Sequence, residues 1–183
     1  MDLKKIEESV RLFLEGIGED LNREGLQDTP RRVAEMCAEI FSGIAQTPQL
    51  EIGFVDAELQ NDPVIIRNVS FYSVCEHHLL PFFGKVHIAY VPANRKVAGF
   101  SSLVRIVETF ARRPQIQERL TTQVADAIMK NLEPQGVIVR VEAQQLCVSM
   151  RGLRKDEVVT ITEAIRGTMD PSTLRNLIQS GKS

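Results

Sequence analysis

The chain has 183 residues, of which 43% are hydrophobic and 25% are charged, with a formal net charge of −2. This length suffices for one hydrophobic core, with room for a small helical appendage. The near-neutral charge argues against a protein that binds polynucleotides through bulk electrostatics, although local basic clusters could still hold a phosphorylated small molecule.

The sequence shows no targeting or membrane segment. Its N-terminus is charged and amphipathic, unlike a secretory signal, and no apolar run reaches the length of a membrane span. The cysteine count is three, and an odd number favours thiol or metal chemistry in a reducing compartment over a disulfide framework. We therefore expect a cytoplasmic protein that binds neither nucleic acid nor membranes.

Two helices are predicted within residues 1–45, which we interpret as an N-terminal helical arm. Asp2 can cap the first helix, whose apolar residues recur at helical spacing. Thr29 is the predicted N-cap of the second helix, and Pro30 takes its first position. Cys37 lies on the apolar side of that helix and is expected to be buried in the hydrophobic core.

Residues 46–63 contain proline and glycine among polar residues, and they predict a connection rather than a regular element. Residues 64–183 are then expected to form one catalytic domain. Its β-branched and helical patterns predict two strands, two helices and two further strands, at residues 64–75, 84–91, 101–113, 114–132, 136–144 and 157–165. This order predicts an α+β fold in which helices cover one face of an antiparallel ββααββ sheet.

The segment Cys75-Glu76-His77-His78 could begin a metal site. It places one thiol and two imidazoles within four residues at the end of a predicted strand. Thiolate and imidazole ligands favour zinc over magnesium or calcium. The alternative is a surface loop with solvated histidines and a buried cysteine.

A zinc site begun by Cys75 and His78 needs a further ligand, and Cys147 is the one other cysteine outside an evident helix core. Three protein ligands leave the fourth position of zinc open, as in hydrolytic sites. His77 would then be a candidate for proton transfer, or it could be simply an exposed histidine.

Polar residues elsewhere could bind a nucleotide. Glu118 is either a surface carboxylate paired with Arg119 or Arg112, or an acceptor for the ring N–H and amino group of guanine. Scattered basic residues could converge on phosphate oxygens; they are Arg32, Arg105 and Arg151.

Four segments together resemble the GTP cyclohydrolase I family. They are GLQDTPRRVAEM, FYSVCEHHLLPFFGKVHIAYVP, GFSSLVRIVETFARRPQIQERLTTQVADAI and LCVSMRGL, and the likeness runs from about residue 5 to the last helix. The resemblance implies a tunnelling fold and a homodecamer of two pentameric rings, with active sites at subunit interfaces. It also implies hydrolytic opening of the guanine imidazole ring of GTP at C8, release of formate, and reclosure to 7,8-dihydroneopterin triphosphate for pterin or folate synthesis.

The resemblance also implies roles for individual residues. Cys75, His78 and Cys147 match the ligands of Zn²⁺, and His77 matches a catalytic histidine. Gln117 and Glu118 match a guanine-binding pair. The positions that match the surroundings of the triphosphate are Ser101, Ser102, Arg105, Arg151 and Arg32.

Two positions depart from the family pattern. Gln145 replaces a catalytic histidine and has no accessible pKa, so proton transfers must rely on His77, Glu118 or water. Ser102 replaces a phosphate-binding lysine and removes one positive charge.

These departures keep two alternatives open beside the full reaction. One is an enzyme that stops at a ring-opened formamidopyrimidine nucleotide or accepts a related guanine nucleotide. The other is a non-catalytic relative that binds guanine nucleotides.

Overall fold

The computed structural model describes residues 1–56 and 61–179. Parts of the predicted connection and of the predicted catalytic domain, residues 57–60 and 180–183, lie outside the described residues. The chain divides into two compact units, Met1–Ser42 and Gly43–Ser183. The predicted domain boundaries stay a prediction, because a compact unit is not by itself an independent domain.

The first unit contains α1 (Leu3–Gly16) and α2 (Thr29–Ile40). The predicted cap of α1 is confirmed, since the Asp2 carboxylate accepts a hydrogen bond from the Lys5 amide at 3.0 Å. For α2 the prediction is wrong by one residue. Asp28 is the N-cap, although it makes no side-chain capping bond.

Cys37 on α2 is half-buried rather than part of a core. The buried residues of α2 are Pro30 and Ala34. Partial burial nevertheless raises the pKa of the Cys37 thiol, because removal from water disfavours the charged thiolate.

The remaining elements follow a short 3₁₀ helix at Ser42–Ala45. The strands are β1 (Ile52–Phe54), β2 (Val64–Cys75), β3 (Pro81–Val91), β4 (Lys96–Ala98), β5 (Pro114–Gln115), β6 (Gly136–Gln145) and β7 (Thr160–Gly167). The helices are α3 (Phe100–Ala111), α4 (Gln117–Leu132), α5 (Leu146–Ser149) and α6 (Pro171–Gln179). In the described part of the chain, no helix combines the length and apolar composition that crossing a bilayer requires.

The main sheet has five strands in the order β5-β2-β3-β6-β7. Its long strands pair antiparallel, and β5 pairs parallel to the end of β2. The predicted α+β class and the ββααββ order are therefore confirmed. The small sheet of β1 and β4 was not predicted, because β1 is three residues long and lies in the segment interpreted as a connection.

The two faces of the main sheet pack against different helices. On β3, the side chains of Ile88 and Tyr90 lie on the same face of the sheet and belong to the large core that contains α3 and α4. Ala89 lies between them and belongs with Ile138 to a second cluster, which includes Leu174 of α6. The two core helices thus lie on one face, as predicted, and α6 covers part of the other.

Gly84 of β3 lies where the main chain of β6 approaches closely. A β-carbon there would overlap the Glu142 carbonyl oxygen and would lie 2.7 Å from the Ala143 α-carbon. We expect Gly84→Ala to lower the free energy of unfolding by about 1–3 kcal/mol, the usual cost of overpacking, as measured by denaturant unfolding. Gly53→Ala is the matched control, since its nearest neighbour would be a Val97 methyl at 3.7 Å; equal effects of the two substitutions would contradict the prediction.

Candidate metal centre

The first half of the candidate centre is the tight turn between β2 and β3. Cys75 ends β2 and is buried, with 6% of its surface exposed. Its carbonyl accepts a hydrogen bond from the Leu79 amide at 2.8 Å, and its own amide donates to the Leu80 carbonyl at 2.9 Å. These two bonds close the turn around His78, which is exposed.

The second half comes from the end of β6. Cys147 lies in α5, which begins directly after β6, and its side chain is partly buried. The ligand atoms of Cys75, His78 and Cys147 all lie within 4.8 Å of one another. The structure therefore brings together the three residues that the sequence predicted as metal ligands, and the group could hold a metal ion.

The chemistry of this group fits zinc better than a hard cation. Two sulfurs and one imidazole are the ligands that zinc prefers, whereas magnesium and calcium select oxygen. Burial and the nearby Cys75 thiol raise the pKa of the Cys147 thiol, and the Arg151 charge opposes them. Arg151 contacts the group directly, with Nη1 3.1 Å from Nε2 of His78.

Gln145 lies next to the group. Its side-chain oxygen is 3.9 Å from the Cys147 sulfur, and its amide nitrogen donates to the side-chain oxygen of Gln117 at 3.1 Å. The structure thus places the residue predicted in the position of a catalytic histidine beside a metal-ligand candidate.

The two predicted guanine-binding residues differ in accessibility. Gln117 begins α4 and is only 2% exposed, whereas its neighbour Glu118 is exposed on the first turn of the helix. The predicted alternative for Glu118, an ion pair with Arg119 or Arg112, does not occur among the described residues. Arg119 pairs with Glu76 through its two terminal guanidinium nitrogens, and Arg112 pairs with Glu108.

The Glu76–Arg119 pair was missed by sequence analysis. The Arg119 hydrogen bond is the main cause that lowers the pKa of the Glu76 carboxyl. His77 is 64% exposed in its side chain and lies 3.9 Å from the same carboxylate. Residues 76 and 119 are far apart in sequence, so their contact is hard to predict. The available signal was the position of the Glu76 carboxylate between the metal-ligand candidates Cys75 and His78.

The predicted phosphate-binding residues on α3 differ in their accessibility and in their partners. Ser101 and Arg105 are exposed on α3, and Arg105 pairs with Glu51. Ser102 is fully buried, and its hydroxyl donates to the Gly99 carbonyl at 2.7 Å. A phosphate contact of Ser102 stays a prediction, and it would require the loss of that bond.

Arg32 lies in the first unit, on α2. It is exposed, and its guanidinium is 3.4 Å from the Asp28 carboxylate. Its predicted contact with phosphate stays a prediction.

Comparison with known proteins identifies the family. The family model described as GTP cyclohydrolase I matches residues 6–181 of this chain. The chain belongs to the GTP cyclohydrolase I family. The resemblance seen in the sequence is therefore confirmed.

Three similar proteins are each named GTP cyclohydrolase 1. The one from Desulforamulus reducens is 54% identical, over 91% of this chain and 89% of the relative. The one from Carboxydothermus hydrogenoformans is 53% identical, over 91% and 87%. The one from Bacillus cytotoxicus is 52% identical, over 93% and 90%. These relatives confirm the prediction of a GTP cyclohydrolase I-like enzyme.

A solved structure is similar to part of this chain. It is the archaeosine synthase QueF-Like in its apo form, with a TM-score of 0.49 and 18% sequence identity, and the match covers 59% of this chain and 96% of that one.

The metal-binding capacity of this family member can be tested at Cys147. We expect the purified protein to hold about one zinc ion per chain, and Cys147→Ser to lower this content sharply because the site loses one of its two sulfur ligands. Metal content by mass spectrometry after exhaustive dialysis is the measurement. Cys37→Ser is the matched control, since Cys37 lies on α2 outside the group. Full zinc content in Cys147→Ser would contradict the assignment.

Proposed function

We propose that the chain is a zinc-dependent GTP cyclohydrolase I. In this reaction the guanine imidazole ring of GTP is opened at C8, formate is released, and the product recloses to 7,8-dihydroneopterin triphosphate. The observation that carries the proposal is the Cys75–His78–Cys147 group, whose ligand atoms lie within 4.8 Å of one another in a chain of this family.

Those three residues would hold the zinc ion in this proposal. When bound, zinc acts as a Lewis acid and makes water nucleophilic near neutral pH. The turn closed by the Cys75 main chain supports one side of the site, and the start of α5 supports the other. Both supports are main-chain structures, which suits a site that must keep its geometry while substrate enters.

Proton transfer and base recognition are assigned to two exposed groups. His77 adjoins the ligand His78, and an imidazole can accept or donate a proton near neutral pH. Glu118 presents a carboxylate that can accept two hydrogen bonds from the ring N–H and amino group of guanine. The residues assigned to the triphosphate are Arg151, Arg105, Ser101, Ser102 and Arg32.

Several wider features belong to the same proposal. We infer that the chain forms a homo-oligomer, which is a decamer when fully assembled. Its active sites would lie at subunit interfaces. We infer also a cytoplasmic location and a product used in pterin or folate synthesis. The support is membership of the GTP cyclohydrolase I family, together with the named relatives.

The proposed reaction predicts two products from one incubation. Zinc-loaded protein mixed with GTP should release formate and, after oxidation, a fluorescent pterin, in equal amounts. Formate assay and chromatography with fluorescence detection are the measurements, and Cys147→Ser is the inactive control. If GTP is not consumed, and GMP and guanosine supplied in its place are not consumed either, the proposal is wrong and a non-catalytic nucleotide-binding role is supported.

Gln145 favours a second candidate, an enzyme that stops at the ring-opened formamidopyrimidine nucleotide. A carboxamide cannot exchange protons near neutral pH, and the nitrogen of this one is already engaged by Gln117. A ring-opened product without pterin in the same incubation would support this candidate.

Replacing Gln145 with histidine tests the missing proton carrier. We expect Gln145→His to raise the rate of pterin formation by at least about tenfold, because one general acid or base is typically worth a hundredfold or more. Steady-state kinetics with GTP is the measurement. Gln144→His is the matched control, because it places the same group on the neighbouring, exposed residue. An unchanged rate in Gln145→His would show that proton transfer at this position does not limit turnover.

A further inference from the structure

The segment that precedes β1 is held against α3 through its main chain. Near the beginning of this segment, the Arg113 guanidinium donates to the Gly43 carbonyl at 2.9 Å and to the Gln46 carbonyl at 2.7 Å. At the end of the segment, the Glu51 carbonyl accepts a hydrogen bond from the Gly99 amide at 2.9 Å. Gly99 is the N-cap of α3. Main-chain contacts therefore place position 51 beside the start of that helix.

The Glu51 carboxylate lies against α3 as well. One of its oxygens pairs with Nη2 of Arg105. The other oxygen is 3.7 Å from the position that a β-carbon would take at Gly99. The carboxylate is therefore close both to the Arg105 side chain and to the main chain at the start of the helix.

This ion pair lies where the proposed function places substrate phosphate. Ser101 and Arg105 are one helical turn apart, so their side chains are neighbours on the exposed surface of α3, and both are assigned to the triphosphate. A phosphate that binds to Arg105 must either displace Glu51 from the guanidinium or lie beside a carboxylate of the same charge. Ser102, where the family pattern has a lysine, is buried and carries no charge. Of these three residues, the one with a positive charge is thus already paired with an acid.

The pair is accessible to dissolved anions and can open at a small cost. The side chain of Arg105 is 55% exposed and that of Glu51 is 73% exposed, and an ion pair with such access to water stabilises a protein little. A phosphate group can form two parallel hydrogen bonds with a guanidinium and carries more charge than one carboxylate. We therefore expect phosphate to displace Glu51, with an affinity that is lowered by the free energy of opening the pair.

We propose that Glu51 is a specificity-determining residue, which competes with substrate phosphate for the Arg105 side chain. This inference rests on the proposed function, because that function assigns Arg105 to the triphosphate. Competition at the phosphate end weakens the binding of GTP more than that of a guanine nucleotide with fewer phosphates. Neither Glu51 nor Arg105 belongs to the metal-binding group, so the competition acts on substrate binding and leaves the chemical step unchanged.

Binding of inorganic tripolyphosphate tests the competition without a base and without a reaction. Dissociation constants from isothermal titration calorimetry are compared for the unchanged protein, Glu51→Gln, Arg105→Gln and the double variant. We expect Glu51→Gln to bind about fivefold more tightly, the upper end for an exposed ion pair. In the Arg105→Gln background the same change should improve binding by only about twofold, because long-range repulsion then remains without competition for the guanidinium.

Asp126→Asn is the matched control. Asp126 is an exposed carboxylate that pairs with Arg166 at 2.6 Å, and its replacement removes the same charge as Glu51→Gln. Tripolyphosphate binding by Asp126→Asn should stay within about twofold of that by the unchanged protein, because the effect of a distant charge is screened by salt. An equal gain in the two variants would reduce the effect to net charge, and the inference would be wrong.

Kinetics with GTP separates competition from a structural role of Glu51. Glu51→Gln should lower the KM for GTP by about fivefold and leave kcat within about twofold, because it removes an obstacle to binding and not a contact made in the transition state. The inhibition constant of GMP should change less, since GMP has a single phosphate. A structural role of Glu51 would instead lower kcat, and equal gains for GTP and GMP would contradict a role in specificity.

Two results of the calorimetry would overturn the inference. One is tripolyphosphate binding by Glu51→Gln that is no tighter than that by the unchanged protein, including the case in which neither protein binds it. The other is a gain from Glu51→Gln that is equal with and without Arg105. The proposed function fails by a different result: if GTP is not consumed while tripolyphosphate binding follows the expected pattern, the competition is supported and the catalytic assignment is wrong.

Discussion

The pairing of β3 with both β2 and β6 is the constraint on which the candidate metal centre depends. At one end of the sheet Val74 pairs with Pro81, and the next residue, Phe82, pairs with Gln145. The end of β2 and the end of β6 are thereby held on either side of the same two residues of β3. A slip of one residue in either pairing would turn the affected side chains to the opposite face, and the ligand atoms would separate.

The polar residues between α4 and the sheet depend on the same register. Gln117 is buried at the edge of an apolar core, where an unpaired amide would be costly. Its nitrogen finds acceptors only because β6 and β7 place the carbonyls of Val141 and Thr160 within reach. The ends of the strands thus position the candidate metal ligands. The main-chain carbonyls of the sheet orient the nearby side-chain amide of Gln117.

Sequence patterns predicted the elements well because those patterns are local. The CEHH segment contains two of the three candidate metal ligands, and helical and strand periodicity identified the order of the fold. Cys147 was harder to place, since its approach to Cys75 depends on strand pairing between distant segments. The direction of the Gln117 and Ser102 side chains could not be predicted either, because burial depends on which neighbours pack around a helix start.

The two-residue strand β5 limits the sequence changes that the chain can accept. It pairs with the end of β2, and the Gln115 carbonyl accepts a hydrogen bond from the Glu76 amide at 3.0 Å. Because these are main-chain contacts, they place few demands on the side chain of Pro114, which is exposed. One inserted residue before α4, however, would rotate the start of the helix by about 100°, so that Gln117 and Glu118 would exchange their surroundings with other positions. At Pro114 the length of the chain is therefore more strictly constrained than the identity of the side chain.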